Sequence, residues 1–132
     1  MIARLLNPLT ELSYGLLRVV AGSMFFFHGL KKVFGVLATS QPAVGTQIWF
    51  GGVIELVGGL AIALGFFTPW AAFLCSGTMA VAYVQFHWKL QTGTQILPAV
   101  NKGELALLYA VVFLFIACRG SGGSSVDRMR AR

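Results

Sequence analysis

The sequence predicts an all-α, polytopic membrane protein built as a bundle of four transmembrane helices. The chain has 132 residues, of which 57% are hydrophobic and 11% are charged, whereas soluble domains carry roughly a quarter charged residues. A segment of about 20 apolar residues is long enough to cross the hydrocarbon core of a bilayer. Four such segments follow one another, at residues 8–34, 47–67, 69–88 and 101–118. We therefore expect one transmembrane domain over residues 1–120 and a flexible, basic C-terminal tail over residues 121–132.

Each segment carries helix signals at its ends. Asn7 and Thr68 each precede a proline, a pair typical of a helix start. Asn101, followed three residues later by a glutamate, suits the start of the fourth helix, and Gly120 suits its end. Because almost nothing separates the second and third segments, we expect them to form a tight antiparallel hairpin. The two longer loops, residues 35–46 and 89–100, then lie together on the opposite side of the bundle.

Glycines recur every seven residues in the first two segments, and this period places them on one face of each helix. The two sets are Gly15, Gly22 and Gly29, and Gly51, Gly58 and Gly65. Small residues let helix backbones approach closely inside a membrane, where the hydrophobic effect no longer drives packing. We therefore expect both glycine stripes to face the interior of the bundle.

The net charge of +6 fits a membrane surface better than a nucleic acid, because the basic residues lie at segment ends or in the sparsely basic tail. An even number of spans places both termini on one side. That side carries Arg4, Arg119, Arg128, Arg130 and Arg132, against Lys31, Lys32, Lys89 and Lys102 on the loop side. This small excess predicts cytoplasmic termini, and no nucleic-acid partner is expected.

The second segment holds a carboxylate, Glu55, in the middle of its apolar run. A charge inside hydrocarbon costs a few kcal/mol or more unless it is paired, protonated or wet, so such a residue marks a candidate site. At 1.5 Å per residue, Glu55 lies about 10 Å from the loop side, level with His28 of the first segment. Lys32 and His87 lie toward the same side. Together with Arg18, these residues form the predicted intramembrane polar cluster.

Three interpretations of the cluster stay open. In the first, Glu55 neutralises Lys32 or His28 and the pair fixes the helix register. In the second, a His–Glu pair in a partly wet pocket exchanges protons or binds a polar headgroup such as a quinone carbonyl. In the third, His28, Glu55 and His87 bind a metal, although no compact ligand motif supports it. We therefore predict no metal. Cys75 and Cys118 are expected to be small apolar residues rather than a disulfide.

These features together resemble the DoxX family of small four-helix membrane proteins, and the resemblance spans nearly the whole chain. In the first helix it rests on Arg18, Gly22, His28, Gly29 and Lys32, and in the second on Gly52, Glu55, Gly59 and Gly65. Near the C-terminus it rests on Gly103, Glu104, Gly120, Gly122, Ser125 and Asp127.

The resemblance implies a multi-pass protein of the bacterial inner membrane, in a family whose members are often labelled as oxidoreductases. Some relatives are parts of quinone-reducing or other redox complexes, which implies an accessory subunit of a quinone-linked redox system with a redox enzyme as partner. No cofactor motif accompanies the resemblance, so whether the chain is itself catalytic stays open, with quinone as the candidate cofactor. The alternative is a non-enzymatic assembly, chaperone-like or lipid-binding protein. Besides the lipid bilayer, a second copy of the chain is a candidate partner.

Overall fold

The computed structural model describes residues 1–131, and the all-α prediction is confirmed over that range. Arg132, which the charge count above includes, lies outside the described residues. Seven α-helices are described, α1 (Ile2–Leu6), α2 (Thr10–Phe34), α3 (Gln47–Leu64), α4 (Thr68–Ala82), α5 (Pro98–Asn101), α6 (Glu104–Arg119) and α7 (Val126–Arg130). Short 3₁₀ turns occupy Asn7–Leu9 and Gly93–Ile96, and a π-helical turn, Tyr83–Trp88, continues α4. The four long helices α2, α3, α4 and α6 correspond to the four predicted segments.

The packing divides the molecule into two helix pairs, α2 with α3 and α4 with α6, which are joined mainly where α3 lies against α4. Glycines allow the closest approach between α2 and α3. A Cβ atom added at Gly22 would lie 2.8 Å from the Gly59 carbonyl oxygen, and one added at Gly59 would lie 2.7 Å from that of Gly22. An added Cβ would meet no atom within 4 Å at Gly15 or Gly51, so the predicted interior stripes are wrong there. They are correct at Gly22, Gly29, Gly58 and Gly65.

The core lies where the two helix pairs meet. Its fully buried members are Phe25, Ile62, Ala72, Cys75, Phe113 and Ile116. The rings of Phe25 and Phe113 meet edge to face with centroids 4.7 Å apart, a favoured aromatic geometry. Within residues 1–131, one helix, α3, is both long enough and apolar enough to cross a membrane by itself.

The C-terminal segment folds back against the turn of the α3–α4 hairpin. The sequence predicts a flexible tail from residue 121, whereas the structure places α7 there and buries Ser125. The Asp127 carboxylate accepts hydrogen bonds from the backbone N–H groups of Phe67 and Thr68, at 2.8 and 3.0 Å, and from the Thr68 hydroxyl at 3.0 Å. The first turn of α4 is therefore capped by a residue 59 positions away, not by the Thr68 side chain.

Asp127 has a pKa below its ordinary value. Burial alone raises the pKa of this carboxyl, but the hydrogen bonds from Thr68 and Phe67, with help from the Arg130 charge, outweigh it. Because the folded state favours the ionised carboxylate, the cap stabilises the fold above the ordinary pKa of the group, near 4, and loses that contribution as pH falls through the lowered pKa.

Candidate functional site

The close contact of α2 with α3 brings Lys32 and Glu55 together. Gly52 faces the base of the Lys32 side chain, where an added Cβ would lie 2.6 Å from the lysine Cβ. The absence of a side chain at Gly52 lets the Lys32 ammonium reach across to Glu55, and its Nζ donates to Glu55 Oε1 at 2.5 Å. The Glu55 side chain is almost wholly buried, and that of Lys32 is one third exposed.

A small internal cavity of about 230 Å³ lies beside this ion pair. Four of the predicted cluster residues line it, His28, Lys32, Glu55 and His87. The remaining wall comes from Phe25, Met79, Lys102, Leu105, Ala106 and Tyr109. We call this space the inner cavity. Its lining combines acid, base and hydroxyl groups with apolar side chains, which is typical of a small-molecule site.

Two polar atoms of the inner cavity's walls are buried and have no hydrogen-bond partner among the described residues, Glu55 Oε2 and the Tyr109 hydroxyl. Buried polar groups are nearly always hydrogen-bonded, because an unpaired one costs on the order of 1–3 kcal/mol. The pair therefore offers a free carboxylate acceptor and a free hydroxyl, which can donate or accept. Both residues line the inner cavity, so a polar molecule there that reaches these atoms would satisfy them.

Tyr109 is the site residue that the sequence analysis missed. Its ring stacks on Phe113 with centroids 5.3 Å apart and meets the His28 ring edge to face at 6.3 Å. The signal in the sequence is a tyrosine in the middle of an apolar span, because a buried tyrosine hydroxyl usually has a hydrogen-bond partner. The sequence does not show how α6 is rotated relative to α2, so it does not predict that Tyr109 contacts His28.

The π-helical turn positions His87. The turn widens the helix after α4, a feature that recurs at functional sites, and it ends at Lys89, which has a φ of 54°. His87 Nδ1 lies 3.4 Å from the Asn101 carbonyl oxygen, so the tautomer protonated at Nδ1 can donate to it. The imidazole is thereby tied to the segment that leads into α6.

Arg18 does not belong to the cluster around the inner cavity. It is 2% exposed and donates to the carbonyl oxygens of Ile62 at 2.7 Å and Ala63 at 3.0 Å, and to that of Ser124. These acceptors lie at the last turn of α3 and in the C-terminal segment. Since Arg18 and Lys32 are 14 residues apart on α2, about 21 Å along the axis, Arg18 joins α3 to the tail at the opposite end of the bundle.

The metal interpretation gains no support from the geometry. Within the part of the chain that the structure describes, no group of three or more His, Cys, Asp or Glu side chains is placed to hold a metal ion. The cavity's ionisable groups instead include two lysines, Lys32 and Lys102, whose positive charges disfavour a bound cation.

The fold and the site define a small all-helical protein with a cluster of ionisable side chains between its helices. The DoxX family profile matches residues 14–88, more than half of the chain. The chain therefore belongs to the DoxX family. The matched range contains His28, Lys32, Glu55 and His87, while Tyr109 lies beyond it.

Two relatives cover most of the chain. An uncharacterized protein of Haemophilus influenzae is 41% identical over 115 residues, which is 84% of this chain and 85% of the relative. The Bacillus subtilis protein named "Putative oxidoreductase CatD" is 28% identical over 127 residues, 92% of this chain and 90% of the relative. No solved structure matches the chain significantly.

Proposed function

We propose that the chain is a four-span protein of the bacterial inner membrane whose inner cavity binds the ring of a quinol-type lipid, as an accessory subunit of a quinone-linked redox system. The observation that carries the proposal is the pair of buried, unpartnered atoms, Glu55 Oε2 and the Tyr109 hydroxyl, on the walls of one cavity. Family membership and the name of the Bacillus subtilis relative support the redox assignment.

The outward faces of the helices support four spans. Large apolar side chains are about half-exposed or more along them, including Leu16 on α2, Val57 on α3, Phe73 on α4 and Leu108 on α6. Soluble monomers rarely expose contiguous apolar surface on this scale. In a bilayer the same faces contact lipid tails. Glu11 and Arg119, at the terminal ends of α2 and α6, form an ion pair, which is consistent with both termini lying on one side, and we assign that side to the cytoplasm.

A quinol matches the hydrogen-bonding groups of the cavity. A quinol hydroxyl can donate to Glu55 Oε2, and the Tyr109 hydroxyl can donate to the oxygen on the far side of the ring. His28 lies against the Tyr109 ring, and its imidazole can donate or accept a hydrogen bond. The Lys32 ammonium pairs with one oxygen of the Glu55 carboxylate and leaves the second oxygen free.

The experiment is purification of the full chain in a mild detergent, followed by extraction and identification of bound quinones and proteins. We expect a bound quinone and a redox-enzyme partner with wild-type protein, and loss of the quinone with Glu55→Gln at normal protein yield. Cys118→Ser, at an exposed residue outside the inner cavity, is the matched control and should keep its quinone. Wild-type protein that carries no quinone and brings down only a non-redox membrane protein would overturn the proposal.

A second candidate function is membrane assembly or lipid binding without redox chemistry, and one feature favours it. An apolar cleft of about 420 Å³ lies between α2 and α6, which contact each other much less than the paired helices do. Leu16, Val20, Leu108 and Val112 line it. Such a cleft could hold an acyl chain or a partner helix packed through small and apolar residues.

A further inference from the structure

A larger space lies on the other side of the Lys32–Glu55 ion pair, in the groove between α3 and α4. Its volume is about 480 Å³, roughly twice that of the inner cavity. The two spaces have four lining residues in common, Lys32, Glu55, Met79 and His87. The two spaces therefore adjoin along these four side chains, and we call the larger one the α3–α4 groove.

The α3–α4 groove opens sideways. Its lining residues Leu74, Val81 and Phe86 are each about half-exposed on the outer surface of α4 and the π-helical turn. At the loop end, Gln47 Nε2 donates to Gln85 Oε1 at 2.6 Å and so joins the start of α3 to that turn. The loop end is thereby bridged, while the flank between α3 and α4 faces outward.

We infer that the α3–α4 groove holds the apolar chain of the quinol-type lipid, and that the ring reaches Glu55 from the bilayer through this flank. The inference rests on the proposed function and adds the route by which the lipid enters and the place where its apolar chain binds. Two features of the groove carry it. Its outer wall is apolar, as an isoprenoid or alkyl chain requires, and its inner end is the Lys32–Glu55 pair that the ring would contact.

The competing route is the cleft between α2 and α6, and its chemistry fits less well. That cleft meets the inner cavity only at Leu105 and Tyr109. Neither residue is charged, and Glu55 does not line the cleft. A ring that entered there would meet the Tyr109 hydroxyl but would not arrive at the carboxylate directly.

Gly51 provides a direct test, because it lines the α3–α4 groove and an added Cβ would meet no atom within 4 Å. Gly51→Leu should therefore fold and project its side chain into the groove. Gly77→Leu is the matched control. Gly77 is an exposed glycine of α4 with equally open surroundings, and it does not line the groove.

The experiment uses the full chain in nanodiscs of phosphatidylethanolamine and phosphatidylglycerol, with a ubiquinol analogue that carries a photoreactive diazirine near the end of its alkyl chain. After illumination, peptide mass spectrometry locates the label. We expect label at Leu74, Val81 or Phe86, displaced by unlabelled ubiquinol but not by added phosphatidylglycerol. In Gly51→Leu the labelling should fall about tenfold, as expected for a side chain that overfills the space, while Gly77→Leu should match the wild type.

Three results would overturn the inference while leaving the proposed function standing, provided that ubiquinol still binds in a Glu55-dependent way. They are label confined to the α2–α6 cleft, labelling that Gly51→Leu leaves unchanged, and displacement by phosphatidylglycerol as effective as by ubiquinol. Failure of wild-type protein to bind ubiquinol at all would defeat the proposed function, and the inference with it.

Discussion

The Lys32–Glu55 pair allows the structural and the binding roles of Glu55 to be separated. Glu55→Gln removes the charge that neutralises the Lys32 ammonium, which lies 2.5 Å away, but keeps nearly the same side-chain shape. Lys32→Gln removes the other partner. The double variant Glu55→Gln/Lys32→Gln has neither charge, and its two amides can still hydrogen-bond to each other.

The burial of the two side chains sets the expected size of the effect. Breaking a fully buried ion pair costs about 3–5 kcal/mol, whereas exposed pairs contribute about 0–1 kcal/mol. Glu55 is 5% exposed and Lys32 is 33% exposed, so we expect about 2 kcal/mol of lost stability for Glu55→Gln. The double variant should regain at least half of that loss. Since Lys32→Gln alone also removes the pair, the coupling in a double-mutant cycle should be at least about 1 kcal/mol.

The assay is reversible unfolding of each variant in mixed micelles, followed by ubiquinol binding to the folded material. We expect the double variant to regain stability but not binding, because the free carboxylate oxygen is absent from it. A double variant that regains both would show that Glu55 acts only as a structural partner of Lys32. A coupling energy near zero would refute the argument from partial burial.

Three further outcomes are expected. Tyr109→Phe should leave the unfolding free energy unchanged or raise it by about 1 kcal/mol, because it removes a buried hydroxyl that has no partner among the described residues. It should still weaken ubiquinol binding about tenfold. A large loss of stability in thermal unfolding would contradict this. Asp127→Asn should lower stability by about 1 kcal/mol at pH 7. In the wild type, limited proteolysis should detect release of the tail as pH falls below about 4, and Asp127→Asn should abolish this pH dependence. Identical pH profiles for the two proteins would count against the cap. Gly59→Ala should lower the free energy of unfolding by about 1–3 kcal/mol, whereas Gly51→Ala should change it by less than about 0.5 kcal/mol. Equal effects of the two substitutions in unfolding experiments would contradict the close approach of α2 and α3.

Local and short-range features could be predicted from the sequence. The helix class follows from apolar segments of sufficient length. That His28 and Glu55 lie at the same depth in the bundle follows from the fixed rise per residue of two helices that are joined by one loop. The structure accordingly places both residues on the walls of the inner cavity. The four membrane spans and the binding role of the cluster stay predictions.

Features that depend on distant parts of the chain could not be predicted in this way. Tyr109 reaches the cavity only because α6 presents one particular face to α2, and the sequence does not specify that rotation. Arg18 was grouped with the cluster by residue type, although its partners Ile62 and Ser124 are separated from it by 44 and 106 positions. The π-helical turn that positions His87 breaks the regular helical periodicity that the sequence argument assumed.

The cap on α4 also has a consequence for biosynthesis. Thr68 is synthesised 59 residues before Asp127. The first turn of α4 therefore has no cap until α7 has been made. During that interval the first turn of α4 has backbone N–H groups that the nascent chain does not yet satisfy. Arg18 waits in the same way for Ser124. The C-terminal segment therefore completes the turn between α3 and α4 only after α6 has been made.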